Sequence, residues 1–276
     1  MRGLLLAALL CGATAGVQAA PAPDTDDGDD ILMRFHAARA EPGCGSASAR
    51  WQRHYASAAD RLARHDEVAL ALFGYVLEKV RAAGLPGEFA LIPFVESRYR
   101  ADARSPGGQT GLWQFTAATA RRHGLVVRGA VDERLSVASS TTAAIAYLAR
   151  LHRMFGRDWR STAIAYNAGE GALKASRRGG RALSGIAASY PAKLQALACL
   201  LDARGRQPRW QAAVARPVPR LALRRLPGET RDLARWAHRQ GFDPALVRAL
   251  NPGWHAGSLD VLVPAGAGRA RAGKAN

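Results

Sequence analysis

The chain is expected to be mainly α-helical, with a small mixed α+β module near its C-terminal end. Three observations predict this. Apolar residues recur at helical spacing from about Trp51 to Arg204, and strand signals in that region are weak. After a proline-rich stretch the pattern changes to strand, helix, helix, strand. With 276 residues, 48% of them hydrophobic, the chain can build one substantial core plus a smaller module.

Taken in order, Arg2 precedes "GLLLAALLCGATAGVQAA", an apolar run too short for an ordinary membrane span. Val17-Gln18-Ala19 fits a small-x-small cleavage pattern, so residues 1–20 are expected to be a secretory signal peptide. A retained anchor, or lipidation at Cys11 with membrane association, is the alternative. Leu10 stands before that cysteine where lipoprotein signals carry a small residue. Residues 21–50, opening with "PAPDTDDGDD", are expected to be a tether. The helical region spans 51–205. In it, "EVALALFGYVLEKVRAAG" stops at Gly84, "SSTTAAIAYLARLHRMFG" closes at Gly156, and "YPAKLQALACLLDAR" takes Pro191 into its first turn. Residues 206–222 hold the prolines of a linker, and the module covers 223–266. In the module Thr230 is expected to cap one helix and Gly241 to end it, with Asp243 and Pro244 starting the next. A disordered tail is expected over 267–276.

The formal net charge is +17, and only four of the 39 basic residues are lysine: Lys79, Lys174, Lys193 and Lys274. Such an excess favours polyanionic partners, including nucleic acid, anionic lipid and acidic cell-wall polymer, or else belongs to a solvated surface. No nucleic-acid motif is present, and an exported protein would not meet nucleic acid, so that class is set aside. Cys44 and Cys199 remain after signal cleavage; they could pair in an oxidising compartment or stay as two thiols. No Cys/His spacing resembles a metal site, and no cofactor is implied.

The chemistry centres on Glu96. In "LIPFVESRYR" it follows Leu91, Ile92, Phe94 and Val95, and a second apolar cluster, "GLWQF", comes at 111–115. A carboxyl group packed among such residues loses solvation of its charged form, so its pKa rises. It can then donate a proton to a leaving oxygen, as cleavage of a glycosidic bond requires.

Three stretches in order, "VESRYRADARSPGGQTGLWQFTAATARRHGL", "DERLSVASSTTAAIAYLARLHRMFG" and "AYNAGEGAL", resemble the catalytic domain of the lytic murein transglycosylases, and within them the membrane-bound type D branch. The likeness runs from about Trp51 to Asp202 and implies a lysozyme-like helical fold. It implies that Glu96 acts alone, first as acid and then as base. Ordinary glycosidases use two carboxylates. The resemblance places Ser97 beside the catalytic carboxyl, orienting it or the muramoyl N-acetyl group. It places Gln114 in the cleft, Tyr166 and Asn167 by the sugar at the cleavage point, and the Tyr190 hydroxyl against Glu96. Trp113 and Phe115 are expected to pack. Among other acids, Glu170 and the pair Asp132 and Glu133 match bracing positions. The sequence departs from the family at Arg100-Ala101, where Asn or Asp followed by Pro is usual. It departs again at "LSGIA" (183–187), which lacks the acid and hydroxyl of the type D pattern.

"LPGETRDLARWAHRQGFDPALVRALNPGWHAGSLDVLVPAG" (226–266) resembles a LysM module, a binder of N-acetylglucosamine-containing glycans. It would either tether the enzyme to its polymer or serve as a packing domain. The expected protein is therefore an exported, periplasmic, monomeric lytic transglycosylase, free or membrane-attached, acting on peptidoglycan glycan strands. The other readings are a hydrolytic muramidase of goose-type lysozyme likeness and a non-catalytic cell-wall binding protein.

Overall fold

The computed structural model describes residues 24–65 and 68–266. The signal peptide, Cys11 and the tail expected over 267–276 lie outside the described residues. The chain begins with β1 (Thr25–Asp27) and α1 (Gly28–Ala37), where the Asp27 carboxylate accepts from the backbone N–H of Asp29. Then come α2 (Ala49–His54), α3 (Ala56–Ala63) and α4 (Ala69–Ala82). Helix α4 carries Leu70, Leu72, Phe73, Val76, Leu77 and Val80, all buried, and forms the axis of the main core. Burial on nearly all sides explains why its apolar residues exceed a single stripe.

A 3-10 turn at Gly87–Leu91 leads into α5 (Ile92–Ser97). An irregular loop follows, then α6 (Ala117–Arg122) and a short hairpin of β2 (Val127–Arg128) and β3 (Val131–Asp132). Helices α7 (Val137–Met154), α8 (Trp159–Ala168), α9 (Glu170–Arg177), α10 (Gly185–Ala188), α11 (Tyr190–Gly205) and α12 (Pro208–Val214) complete the helical part. Gly84 and Gly156 take positive φ at the expected helix ends, and Pro191 sits in the first turn of α11.

Two expected boundaries are corrected. The segment expected as a tether over 21–50 is folded from residue 24 onward: Ile31, Leu32 and Phe35 of α1 are buried in the main core. The acidic run that suggested disorder is neutralised and capped. Asp26 pairs with Arg34 at 2.8 Å and with Arg220 at 2.7 Å, and Asp27 caps α1. The stretch expected as a linker over 206–222 is also structured. Trp210 and Val214 of α12 are buried, and β4 (Pro217–Pro219) pairs antiparallel with β1. Its prolines suit a helix start and an edge strand, which is why their density misled.

The C-terminal part has the expected order: β5 (Leu221–Arg225), α13 (Leu233–Arg239), α14 (Pro244–Leu250) and β6 (Asp260–Pro264), with β5 and β6 antiparallel. Asp232, not Thr230, caps α13, its carboxylate accepting from the N–H of Arg235 at 3.0 Å. Thr230 instead belongs to the preceding turn, its N–H bonded to the Pro227 carbonyl. Asp243 caps α14 as expected. Leu226, Leu233, Trp236, Phe242, Val247, Val261 and Val263 form a second small core, whereas Leu250 and Leu262 join the main one. The β5–β6 ribbon therefore uses both faces, one for each core.

Cys44, in the loop after α1, and Cys199, on α11, form a disulfide with a Cα–Cα distance of 5.6 Å. The same loop is held by Glu88, which accepts from the N–H groups of Ala40 (3.0 Å) and Glu41 (2.9 Å), and by Arg160, which pairs with Glu41. The disulfide joins residues 155 apart in sequence and so restricts the unfolded chain strongly. Reduction should cost about 2–4 kcal/mol and lower the thermal midpoint. An unchanged midpoint in reductant would show that the loop is held by its hydrogen bonds alone.

Candidate active site

Glu96 stands at the end of α5, a helix that stops abruptly. The next two residues, Arg98 and Tyr99, both have left-handed backbones (φ 56° and 57°), costly for non-glycine residues. Packing holds Tyr99 there: it is buried, its ring lies 4.5 Å from that of Phe94, and its hydroxyl donates to the Ala90 carbonyl at 2.8 Å. The helix is thereby cut directly after the Glu96-Ser97 pair, and the chain turns away from the cleft.

The "GLWQF" loop forms the opposite wall. Gly111 has φ 80°, and a Cβ there would lie 1.8 Å from the Arg134 carbonyl oxygen, so only glycine fits. Arg134 is buried and braces this loop, donating to the carbonyls of Gly108 (2.8 Å) and Phe115 (3.2 Å) while bound to Asp132. Trp113 is 1% exposed and donates through Nε1 to Thr141 of α7 at 3.0 Å.

Between these walls lies a cleft of about 590 Å³ lined by Glu96, Gln114, Tyr166 and Asn167 among others. Gln114 has φ 50° and donates its amide nitrogen to the carbonyls of Gly111 (2.8 Å) and Ala103 (3.2 Å). What it can offer a ligand is therefore its amide oxygen. The Tyr166 hydroxyl donates to the Trp113 carbonyl at 3.0 Å, and its ring packs near Trp113, Phe115 and Tyr147. Tyr166 thus serves as a wall and a brace. Asn167 is exposed at the end of α8, next to the turn at Gly169.

Tyr190 is buried at the start of α11, and its hydroxyl donates to Oε1 of Glu96. The altered "LSGIA" stretch still forms a helix start: Ser184 caps α10 by accepting from the Ala187 N–H at 3.2 Å. Ser97 stands differently from its expected role. Its buried hydroxyl lies 2.8 Å from the Leu112 carbonyl oxygen and 3.1 Å from that of Pro93, and the side chain does not line the cleft. It fastens α5 to the "GLWQF" loop and so positions Glu96 only through the backbone.

Burial is the main influence on the Glu96 carboxyl and raises its pKa; the hydrogen bond from Tyr190 and the charge of Lys193 act against it. Lys193, one turn along α11, was not singled out by sequence reading. It is 8% exposed, with its ammonium 4.9 Å from the Trp51 ring centroid and 5.8 Å from that of Tyr190. The i, i+3 spacing of Tyr190 and Lys193 was its available signal. Tyr55, also not foreseen, has its pKa pushed up to about 12, mainly by burial and then by the charge of Glu96.

The other acid in the cleft is engaged. Glu170 accepts from Arg150 at 2.8 and 2.9 Å and from Tyr147 at 3.3 Å, and the Arg150 hydrogen bond leads the influences that hold its carboxyl below the usual value. Asp132 is bound to Arg134, and Glu133 accepts from the Val126 N–H. Among the described residues one grouping has metal-ligand proximity, Cys44, Cys199 and Asp202, but its sulfurs are bonded to each other.

Because its carboxyl binds a proton more readily folded than unfolded, Glu96 costs stability as pH rises above the ordinary glutamate range. Glu96→Gln should therefore raise the thermal midpoint at pH 7 and lose that advantage at pH 4. A variant no more stable than the parent at pH 7 would mean that Glu96 is solvated.

Residues 78–186 match the family described as Transglycosylase SLT domain. The chain is 37% identical over 111 residues to the membrane-bound lytic murein transglycosylase D of Escherichia coli (strain K12), an alignment covering 39% of this chain and 25% of that protein. It is 42% identical over 83 residues to the peptidoglycan transglycosylase gp16 of Escherichia phage T7, covering 30% of this chain and 6% of the phage protein. A solved structure of the lytic transglycosylase Slt from Pseudomonas aeruginosa aligns with 69% of this chain and 29% of its own, at 18% identity and a TM-score of 0.35. The chain spans about a quarter of the length of the Escherichia coli relative. The stretch from residue 78 to residue 186, which matches the Transglycosylase SLT domain family, holds Glu96 and the residues lining its cleft, and it is mainly helical.

Proposed function

We propose that the protein is a peptidoglycan lytic transglycosylase that uses Glu96 as its single catalytic acid and base. One observation carries this reading: among the described residues, Glu96 is the carboxyl group in the cleft without a cationic hydrogen-bond donor, and it is desolvated. Glu170 is occupied by Arg150 and has a lowered pKa, which unfits it as an acid near neutral pH.

Protonated Glu96 gives its proton to the glycosidic oxygen between N-acetylmuramic acid and N-acetylglucosamine, and the C1–O bond breaks. The resulting carboxylate takes the proton from the muramoyl C6 hydroxyl as that oxygen bonds to C1 of the same sugar. A 1,6-anhydromuramoyl end is left, no water is consumed, and Glu96 is again protonated. The nucleophile is already held on the substrate, so no second carboxylate is needed to activate one. Tyr190 donates to the carboxylate form and fixes its direction. Gln114 and Asn167 supply polar contacts to the sugars, and Tyr166 shapes the wall beside them.

The surroundings of such an enzyme follow from the same reading. The names of its relatives refer to murein, peptidoglycan and a membrane-bound state, and the N-terminal run suits export, so the cell envelope is the expected place of action. Among the described residues no helix is long and apolar enough to cross a membrane. The strand-helix-helix-strand module, with its LysM-like sequence, would add a glycan contact that keeps the enzyme on its polymer.

Digestion of purified peptidoglycan should release muropeptides one water lighter than those from a hydrolytic muramidase. Glu96→Gln should reduce the rate by several orders of magnitude, as loss of an essential acid does. Hydrated reducing ends would point to a muramidase, and undiminished activity in the variant would reject Glu96.

The pH profile offers an independent check. Glu96 must be protonated in the free enzyme, so kcat/KM should fall on the alkaline side as pH passes its pKa. Tyr55, Tyr166, Tyr190 and Lys193 are the titratable groups that interact with it; burial lifts the three phenols above their usual value, so they stay neutral in this range, and burial lowers the Lys193 ammonium while the charge of Glu96 raises it. Lys193→Met should move the alkaline limb to higher pH, and Lys193→Arg should leave it near its original place. A limb that does not move in Lys193→Met would show that the ammonium is too far away or too well solvated to matter.

A further inference from the structure

The active-site cleft does not end at the SLT domain. His123, which forms its far wall, also begins a second groove of about 690 Å³ between the domain and the C-terminal module. One side is built by the first turns of α7 and the β2–β3 hairpin, the other by β5 and the loop from Asn251 to Asp260. The two sides are fixed to each other. A Cβ on Gly253 would come within 2.8 Å of the Leu135 side chain and 2.9 Å of its carbonyl carbon, so module and domain touch at backbone distance. Asn251 locks the loop to β6, accepting from the Leu262 N–H at 2.8 Å and donating to the Leu262 carbonyl at 2.7 Å. Leu262 itself is buried in the main core.

The lining is unlike the rest of this protein. Although the chain has a net charge of +17, no arginine or lysine among the described residues lines the groove, and the acids there are Asp132, Glu133 and Asp260. Its exposed aliphatic surface is Leu223 and Leu259, 57% and 51% exposed, with the hydroxyls of Ser139, Thr142 and Ser258 around them. Asp132 is bound to Arg134, Asp260 lies 3.7 Å from Arg225 and Glu133 accepts from the Val126 N–H, so among the described residues the lining offers no basic side chain to hold an anionic ligand. A pyranose ring is suited, because it presents an apolar C–H face and a rim of uncharged polar groups.

Resting on the polysaccharide reading of the Glu96 cleft, we propose that this groove between domain and module binds further N-acetylhexosamine units of the same strand, extending the catalytic cleft past His123. The peptide stems, with their carboxylates, then point away from the groove into solvent. The module acts as one wall of an enlarged substrate site, and glycan length becomes a determinant of affinity.

The test uses the Glu96→Gln protein and uncharged N-acetylglucosamine oligomers, with binding measured by calorimetry. The tetramer reports on the cleft alone, and the octamer reaches the groove. The octamer should bind at least about tenfold tighter than the tetramer, equivalent to about 1.4 kcal/mol. Thr142→Trp, which fills the groove from an exposed helical position, and Leu223→Ala, which removes an exposed side chain from its floor, should erase that advantage and leave tetramer affinity unchanged. Equal affinity for both oligomers, or an octamer advantage that survives both substitutions, overturns the groove while leaving the cleft reading intact. If neither oligomer binds, the groove proposal is overturned, and release of muropeptides by the parent protein decides the cleft reading separately.

Discussion

The hydrogen bond from Tyr190 to Glu96 ties together two helices whose residues are 94 positions apart, and much of the molecule is arranged around it. A glutamate enclosed by protein is costly as an anion unless something compensates its charge. Here the compensation is deliberately incomplete: one phenolic hydroxyl and a cation that reaches it without an ion pair. Full pairing, as Arg150 gives Glu170, would hold the group ionised and useless as an acid. No partner at all would leave it neutral and unable to take a proton back. The intermediate state is what the proposed acid-then-base role of Glu96 asks for.

Keeping that state requires both helices to be held. At one end, α5 is terminated by two left-handed residues, Arg98 and Tyr99, and Ser97 ties it to the facing loop. That loop has its own left-handed residue, Gln114, and depends on a glycine pressed against Arg134. Backbone strain of this sort persists only where surrounding packing over-determines it. At the other end, α11 carries Tyr190 and Lys193 on its first turn and Cys199 further along, so the disulfide anchors the same helix that addresses Glu96. The loop carrying Cys44 leads into α2, whose Trp51 ring lies beneath the Lys193 ammonium.

The C-terminal module shows how one ribbon can serve two cores. Val261 and Val263 point into the module, while Leu262 between them points into the helical domain. The alternation of a strand places successive side chains on opposite faces, so five residues suffice to build one core and dock it to another.

Much of this was legible in the sequence. Helical periodicity marked α4, α7 and α11, and the glycine stops at Gly84, Gly156 and Gly241 follow from backbone geometry that needs no distant contact. The apolar setting of Glu96 was visible because its neighbours in sequence are also its neighbours in α5. Local patterns failed where burial depends on residues far along the chain. The acidic start of α1 looked like a tether, yet it is held by Arg220 and β4 from the other end of the protein. Ser97 looked like a cleft residue, yet the direction of its side chain is set by the Leu112 carbonyl. Local order along the chain was enough for the helices and for the apolar setting of Glu96. Tertiary structure decided the pairing of Cys44 with Cys199, the placing of Lys193 near Glu96 and the groove beyond His123. Those depend on distances between segments, and chain order carries no record of such distances.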